Sequence, residues 1–435
     1  MTKPQSPRRR PRTEFRVPPP LVQRIGAVGF TGGDLLEAGI GSPDTLMVLW
    51  QCFRDAELWS IAIEKSGLFE PQSAACLESQ IELLDTALYA DLKPHLMGFV
   101  ELVRWPEKAE AATVSQLCAA VATWFELQGR LSCAVDYAVV AYRACPTNAA
   151  LAVRVARLTR ILAEYPRSKS WFDYSLYLAR RSNDRQAYTE ALAGMGNLYF
   201  QSGNFPRARH YHERCLRVAA RNRLHEMVGA AYHNLFALEM ESGRYQLAQD
   251  LAGRAFEAYA HNPTSTCLVR LARDLTHRWT IMGYFERALP LALEMLNHFH
   301  RPVDRAQLWS GVGRAAGGAG AGAIFEDAWI ETWVLVKKGV ADPYAADVLI
   351  DLAHGAASLG DKRRAEHAAR EALRIATDRK EGHSILVAEA LLGSVQANTP
   401  VAASPTPSGE TLTAASSSLA TALIVALQNM RAAAG

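Results

Sequence analysis

A Gly-x-aromatic-x-x-Ala motif recurs along this chain at intervals of 40 residues. Its three clearest copies are Gly203-Phe205-Ala208, Gly243-Tyr245-Ala248 and Gly283-Phe285-Ala288. A fixed period of roughly 20–50 residues is the signature of repeat architectures, in which each unit packs mainly against its neighbours. This period constrains the fold more than any single residue does.

Weaker copies of the motif continue the series in both directions, with two steps shorter than 40. They are marked by Gly129 and Ala134, Tyr165 and Ser168, Phe325 and Ala328, and Gly360 and Ala365. Apolar residues at helical spacing before each turn and after each aromatic position predict two antiparallel helices per unit. Seven such units are registered between about Gln116 and Thr377.

This pattern resembles the tetratricopeptide repeat family over about 260 of the 435 residues. The resemblance implies an all-α, right-handed α-solenoid of tetratricopeptide-like helix pairs, whose first helices line a concave groove that binds peptides or other proteins. It implies no catalysis, and the sequence shows no HExxH, Ser-His-Asp or paired-carboxylate signature. We therefore expect a non-enzymatic scaffold or adaptor without a cofactor.

The repeats divide the chain into five predicted regions. Residues 1–20, rich in Pro and Arg, are expected to form a disordered basic arm. The others are 21–112, an N-terminal helical region that is either a cap or degenerate repeats; 113–396, the solenoid; 397–418, a low-complexity linker; and 419–435, a short C-terminal helix.

The C-terminal helix carries Leu419, Leu423, Leu427 and Met430 on one side. That apolar side is too small to fold alone, so we expect the helix to dock back on its own chain. Both the end of the array and the concave groove are within reach of the linker. We favour the end of the array, where the helix would act as a cap.

The charge balance gives no general attraction to nucleic acid or membranes, since 47 Lys and Arg face 44 Asp and Glu. The seven cysteines are scattered and include no Cys-x-x-Cys pair, which indicates reduced thiols. No apolar run is long enough to span a bilayer, and the N-terminus lacks the apolar core of a secretion signal. These features predict a cytoplasmic protein without a membrane partner.

Projection of the repeats places a set of polar side chains on the groove face of the first helices. Arg154, Arg157 and Arg160 recur every three residues and so share one helix face. They predict a basic groove for carboxylates of an acidic protein or peptide; a solvated face with local ion pairs is the equal alternative. The full predicted set is Arg154, Arg157, Arg160, Asn197, His233, Arg270, Arg273 and His277.

Two other patterns favour structural interpretations, and a third leaves an alternative function open. The Gly-rich segment Gly311–Gly322 lacks the preceding strand of a phosphate loop and is expected to be a closely packed helix. The pairs His210/His212 and His298/His300 lack the further ligands of a metal site. The segment Phe30–Trp50 has a helix-turn-helix-like pattern. The alternative function is therefore a DNA-binding transcriptional regulator with peptide-sensing repeats, although nucleic acid is not the expected partner.

Overall fold

A computed structural model describes residues 43–85, 89–128, 130–261, 266–300, 302–339, 344–379, 381–397 and 411–434. Within these ranges the protein has 19 α-helices and no strand, which confirms the predicted all-α, tetratricopeptide-like fold. The helices are α1 (Pro43–Ile61), α2 (Ser73–Glu82), α3 (Lys93–Arg104), α4 (Ala111–Leu127), α5 (Leu131–Ala144), α6 (Ala149–Ile161), α7 (Tyr165–Ser182), α8 (Arg185–Gln201), α9 (Phe205–Arg221), α10 (His225–Glu241), α11 (Tyr245–Tyr259), α12 (Thr266–Ile281), α13 (Phe285–Met295), α14 (Pro302–Gly318), α15 (Gly322–Lys337), α16 (Ala345–Ser358), α17 (Lys362–Arg379), α18 (Gly382–Gln396) and α19 (Thr411–Ala434).

The chain divides into two compact units, and the boundary in the sequence falls between Val218 and Ala219, inside α9. In the first unit α4 pairs with α5 and α6 with α7. In the second, α10 pairs with α11, α12 with α13, α14 with α15 and α16 with α17. Helices α8 and α9, joined by a short turn, complete the seven predicted pairs.

The turns inside successive pairs share one backbone geometry. The left-handed residue is a glycine in five of them: Gly203, Gly243, Gly283, Gly320 and Gly360, with φ between 71° and 81°. Ala163 takes the same role at φ 59°, at the position where the sequence departs from glycine. The amide that follows each of these residues donates to the carbonyl five residues earlier, as Asn204 does to Tyr199 at 2.8 Å. The recurring glycine therefore marks a recurring helix stop.

The small residues of the motif lie where the two helices of a pair approach each other. Ala208 and its equivalents Ala134, Ser168, Ala248, Ala288, Ala328 and Ala365 are fully buried. In α8, Gly196 lies directly under the His212 ring of α9, and a Cβ at Gly196 would come within 2.3 Å of that ring. A larger side chain at position 196 would separate the two helices.

His212 makes the stability of the first unit sensitive to acid. Burial lowers the pKa of this imidazole to about 3, from a value near 6.5 in the unfolded chain. Between these pH values only the unfolded state takes up the proton, so stability falls as the pH falls. Acidification from pH 7.5 to 4.5 should cost about 2–3 kcal/mol through this residue, measured by urea unfolding.

The variant His212→Leu should remove that part of the acid dependence. His210→Leu is the matched control, because His210 is exposed on the same helix. An acid dependence as steep in His212→Leu as in the native chain would show that other groups control it.

The N-terminal helices of the first unit fold onto α5. The ring of Phe53 in α1 meets Tyr137 of α5 edge-on, with centroids 5.4 Å apart, and the Tyr137 hydroxyl donates to the Leu49 carbonyl. Trp59 donates its indole N–H to the Pro106 carbonyl at 2.8 Å. These contacts hold α1 against α5 and against the segment that follows α3.

Residues 30–42 of the predicted helix-turn-helix segment lie outside the described ranges, as do residues 1–20 of the predicted arm. Pro43–Trp50 belongs to α1, whose exposed positions include Asp44, Met47 and Arg54. Arg54 is held by Asp55 at 2.9 Å. The described part of this segment therefore offers no basic face for DNA phosphates.

The C-terminal helix α19 docks back on the second unit. The prediction that it docks at the end of the array is wrong. The helix packs against α11 and α13, the second helices of two successive pairs, and approaches α12 between them. The end of the array is already covered by α18, which packs on α16 and α17. Helix α19 also begins at Thr411, inside the predicted linker 397–418, because the last helix breakers are Pro407 and Gly409.

The described helices share one further property. None of them combines the length and the apolar character needed to cross a membrane.

Candidate functional site

Arg154 and Arg157 of α6 are held by the preceding helix pair. The Arg157 guanidinium donates two hydrogen bonds to the Glu126 carboxylate of α4, at 2.6 and 2.7 Å. Arg154 donates to the Thr123 hydroxyl at 2.6 Å and lies 3.7 Å from Glu126. A carboxylate of a partner would have to compete with Glu126 for Arg157.

Arg160 and Asn197 differ in how far their polar groups are satisfied. Arg160 donates to the side-chain oxygen of Gln201 in α8 at 2.7 Å, so it bridges to the following pair. Asn197 is half-buried in α8, and its amide forms no side-chain hydrogen bond within the described ranges. Of the four predicted groove residues in the first unit, Asn197 is the one whose donors and acceptor are available to a ligand.

The predicted residues of the second unit form a polar network between α10 and α12. His233 lies 3.0 Å from the Asp274 carboxylate, and Arg273 lies 3.5 Å from it. Burial tends to raise the pKa of Asp274, but the hydrogen bond from His233 and the charges of His233 and Arg273 outweigh it, so the pKa lies below its usual value. Asp274 therefore stays ionised and satisfies the cations around it.

Arg270 and His277 are the exposed members of the predicted set in α12. Arg270 donates to the Cys267 sulfur at 2.8 Å, and that sulfur lies 3.1 Å from a carboxylate oxygen of Glu226 in α10. His277 makes no hydrogen bond within the described ranges. These two side chains remain open to a partner on the first-helix face of the second unit.

A different surface of the second unit combines exposed apolar side chains with cations. We call it the tryptophan groove, a depression of 730 Å³ between α15 and α17. Its lining is Trp329, Ile330, Trp333, Val334 and Lys337 from α15 and Arg363, Arg364 and His367 from α17.

The aromatic side chains of the tryptophan groove are held in place by contacts with neighbouring rings and with Arg364. The rings of Trp329 and Trp333 lie 5.8 Å apart, and Trp333 stacks on His367 at 5.1 Å. Arg364 covers Trp329, with its guanidinium carbon 5.3 Å from the ring centroid. Fixed rings lose little conformational entropy when a partner binds.

The groove also leaves apolar surface and positive charge without partners. Ile330 is 57% exposed and Val334 is 41% exposed. Arg364 pairs with Glu326, whereas Lys337 and Arg363 have no carboxylate partner in the described part of the chain. Exposed apolar side chains bordered by charge make this groove a candidate interaction site.

Sequence reasoning missed this groove, although a signal was present. Trp329 and Trp333 are four residues apart on one helix, and so are Arg363 and His367 on another. The spacing places each pair on one face of its helix. Which two faces meet depends on the packing of α15 against α17, and the repeat pattern does not specify it.

One histidine of each His-x-His pair contacts its own part of the fold. His212 is buried in α9, and His298 lies 3.6 Å from Glu294 at the end of α13. Among the described residues, no group of three or more His, Cys, Asp or Glu side chains is arranged to hold a metal ion.

Comparison with known proteins gives distant structural likeness only. No protein-family model and no curated protein matches the chain. The chain is similar to yeast Tom70, with 15% identity over 86% of this chain and 76% of that one, at a TM-score of 0.44. It is also similar to a Rap protein complexed with competence and sporulation factor, with 12% identity over 82% of this chain and 99% of that one, at a TM-score of 0.43. BtubC from P. vanneervenii shows 18% identity over 49% of this chain and 91% of that one, at a TM-score of 0.39.

Proposed function

We propose that this tetratricopeptide-like helical-repeat protein is a non-enzymatic scaffold or adaptor that binds a segment of another protein in the tryptophan groove. The observation that supports the proposal is the exposure of Ile330 and Val334 beside two fixed tryptophans and two cations without carboxylate partners. Aromatic residues and arginine contribute most to protein interfaces when a partner excludes water around them.

The groove favours a partner segment of mixed character. Its floor suits apolar side chains, while Lys337 and Arg363 at its border suit acidic side chains of the same segment. Acids on the partner would pair with cations that have no partner in the free protein, so no existing ion pair is broken. We therefore infer an acidic, partly apolar peptide segment as the occupant.

The first-helix faces of the two units are proposed as additional contact surfaces. Asn197 in one unit and Arg270 and His277 in the other supply the most available polar groups. The remaining proposed contacts are Arg154, Arg157, Arg160, His233 and Arg273, which would exchange their present partners for those of a ligand.

A photo-crosslinking amino acid at position 330 tests the tryptophan groove directly. In cells of the source organism the crosslinker should capture a defined set of proteins. Adding the charge reversals Lys337→Glu and Arg363→Glu to the crosslinker variant should weaken this capture at least about tenfold. Both cations lie on the surface, so the melting temperature should hardly change.

The matched control places the same crosslinker at position 386. Leu386 is 67% exposed on α18, in the same unit but outside the groove. Capture of the same proteins from both positions, or capture that ignores the charge reversals, would contradict the proposed function.

A further inference from the structure

An unusual pair of arginines lies in the first unit, on the side of the second helices. Arg180 lies in the last turn of α7 and Arg214 lies in α9, and both donate a hydrogen bond to the hydroxyl of Tyr188 in α8. The distances to the hydroxyl oxygen are 3.2 Å from Arg180 and 2.6 Å from Arg214. Because the two bonds share one oxygen atom, the guanidinium groups lie close together.

Neither guanidinium group is neutralised. No carboxylate of the described ranges lies within 4.0 Å of Arg180 or Arg214. Asp184, a nearby acid in the sequence, instead caps α8 by accepting a hydrogen bond from the Ala187 amide at 2.9 Å. Two like charges held together without a counter-ion repel each other, and an anion would remove that repulsion.

Several other arginines of this unit are neutralised by a carboxylate. Arg143 pairs with Glu57, Arg157 with Glu126 and Arg167 with Glu164. Within the described ranges Arg160 and Arg181 also lack a carboxylate, but each donates alone, to Gln201 and to the Tyr177 hydroxyl. The distinguishing feature of Arg180 and Arg214 is that both donate to one hydroxyl oxygen, that of Tyr188.

The Tyr188 hydroxyl adds a third donor to the pair. Its oxygen accepts from both arginines, and its own proton has no acceptor among the described residues. The ring is 8% exposed and packs under both side chains, with the guanidinium carbons 5.3 and 5.9 Å from its centroid. The tyrosine thus holds the hydroxyl and the two cations in one fixed arrangement.

We propose that Arg180, Arg214 and Tyr188 form a binding site for a phosphate monoester carried by a protein partner. A phosphate monoester has a charge of about −1.5 to −2 at neutral pH and three acceptor oxygens, which match two guanidinium groups and one hydroxyl. A carboxylate carries one charge and leaves one cation unbalanced. The protein origin of the ligand rests on the proposed scaffold function; the charge match does not.

Titration of the full-length protein with four small probes, followed by phosphorus NMR or calorimetry, tests the chemistry. N-acetyl-phosphoserine amide and inorganic phosphate should bind, and N-acetyl-glutamate amide should bind at least about tenfold more weakly. Dimethyl phosphate, a singly charged diester, should also bind at least about tenfold more weakly. Equal affinity for the diester would indicate a site for nucleic-acid backbone and would overturn the proposal.

Three variants locate the site. Arg180→Gln and Arg214→Gln should each weaken binding of the phosphoserine probe about tenfold or more, and Tyr188→Phe, which keeps the buried ring, should weaken it several-fold. Arg181→Gln is the matched control, because Arg181 also lies in the last turn of α7 and donates to a tyrosine hydroxyl, that of Tyr177 at 2.9 Å. Equal loss in Arg181→Gln, or no loss in the other three, would refute the site.

Two further experiments identify the source of the phosphate and test the two proposals independently of each other. Phosphatase treatment of cell extract should abolish retention of partners that depends on Arg180 and Arg214; retention that persists would overturn a protein-borne phosphate. The crosslink at position 330 lies in the other unit and should survive Arg180→Gln. Failure of the phosphate site thus leaves the groove test intact, and failure of the groove leaves the probe titrations intact.

Discussion

Gly317→Ala should lower the free energy of unfolding of the second unit by about 3 kcal/mol. A Cβ at Gly317 of α14 would come within 2.2 Å of the Gly355 carbonyl oxygen and 2.5 Å of its Cα in α16. Both atoms are backbone, so no side chain can rotate away. Relief requires α14 and α16 to move apart, and this loses packing along their whole contact.

Gly311→Ala is the control for that substitution. Gly311 lies on the same helix, and a Cβ there would meet nothing within 4 Å. Alanine is a better helix former than glycine, so this variant should gain about 0.5–1 kcal/mol. Urea unfolding of the two variants measures both effects. Similar shifts in the same direction would show that the close crossing of α14 and α16 does not control stability.

Leu427→Ala in α19 should destabilise the second unit by about 3 kcal/mol, and Leu423→Ala should act similarly. Both side chains are fully buried where α19 packs on α11 and α13. Each truncation leaves a cavity in that contact. The polar end of the helix adds little, because its ion pair between Arg431 and Glu294 is partly exposed at 3.6 Å.

Val425→Ala provides the comparison within the same helix. Val425 is 49% exposed, so its truncation should change the stability by less than about 0.5 kcal/mol. Thermal unfolding should separate the leucine variants from this control. If all three variants behave alike, α19 does not contribute to the folded core of the second unit.

Two interpretations of the Gly-rich segment are distinguished by its contacts. Its glycines cost helix stability locally, and the sequence favoured a closely packed helix over a phosphate loop. The structure agrees, because Gly317 and Gly355 allow two backbones to approach where any side chain would clash. The partner glycine lies in the next helix pair, beyond what the local pattern reveals.

The candidate site was predicted less completely than the fold. The sequence predicted that the arginines of α6 share one helix face. Their partners, such as Glu126 for Arg157, come from another helix pair. The tryptophan groove and the pair Arg180 and Arg214 were missed for the same reason. In each case the arrangement joins side chains from different helices.

The sequence by itself determined the helices, their pairing and their turns, since these depend on hydrogen bonds and contacts within a few residues. Gly203 and its equivalents stop a helix wherever they recur, and Ala208 and its equivalents let the next helix return against the first. The tertiary structure alone decided which side chains of different pairs meet, and where α19 lies. Those contacts depend on the rotation of one pair against the next, which is set by the summed packing of many side chains and leaves no periodic mark in the sequence.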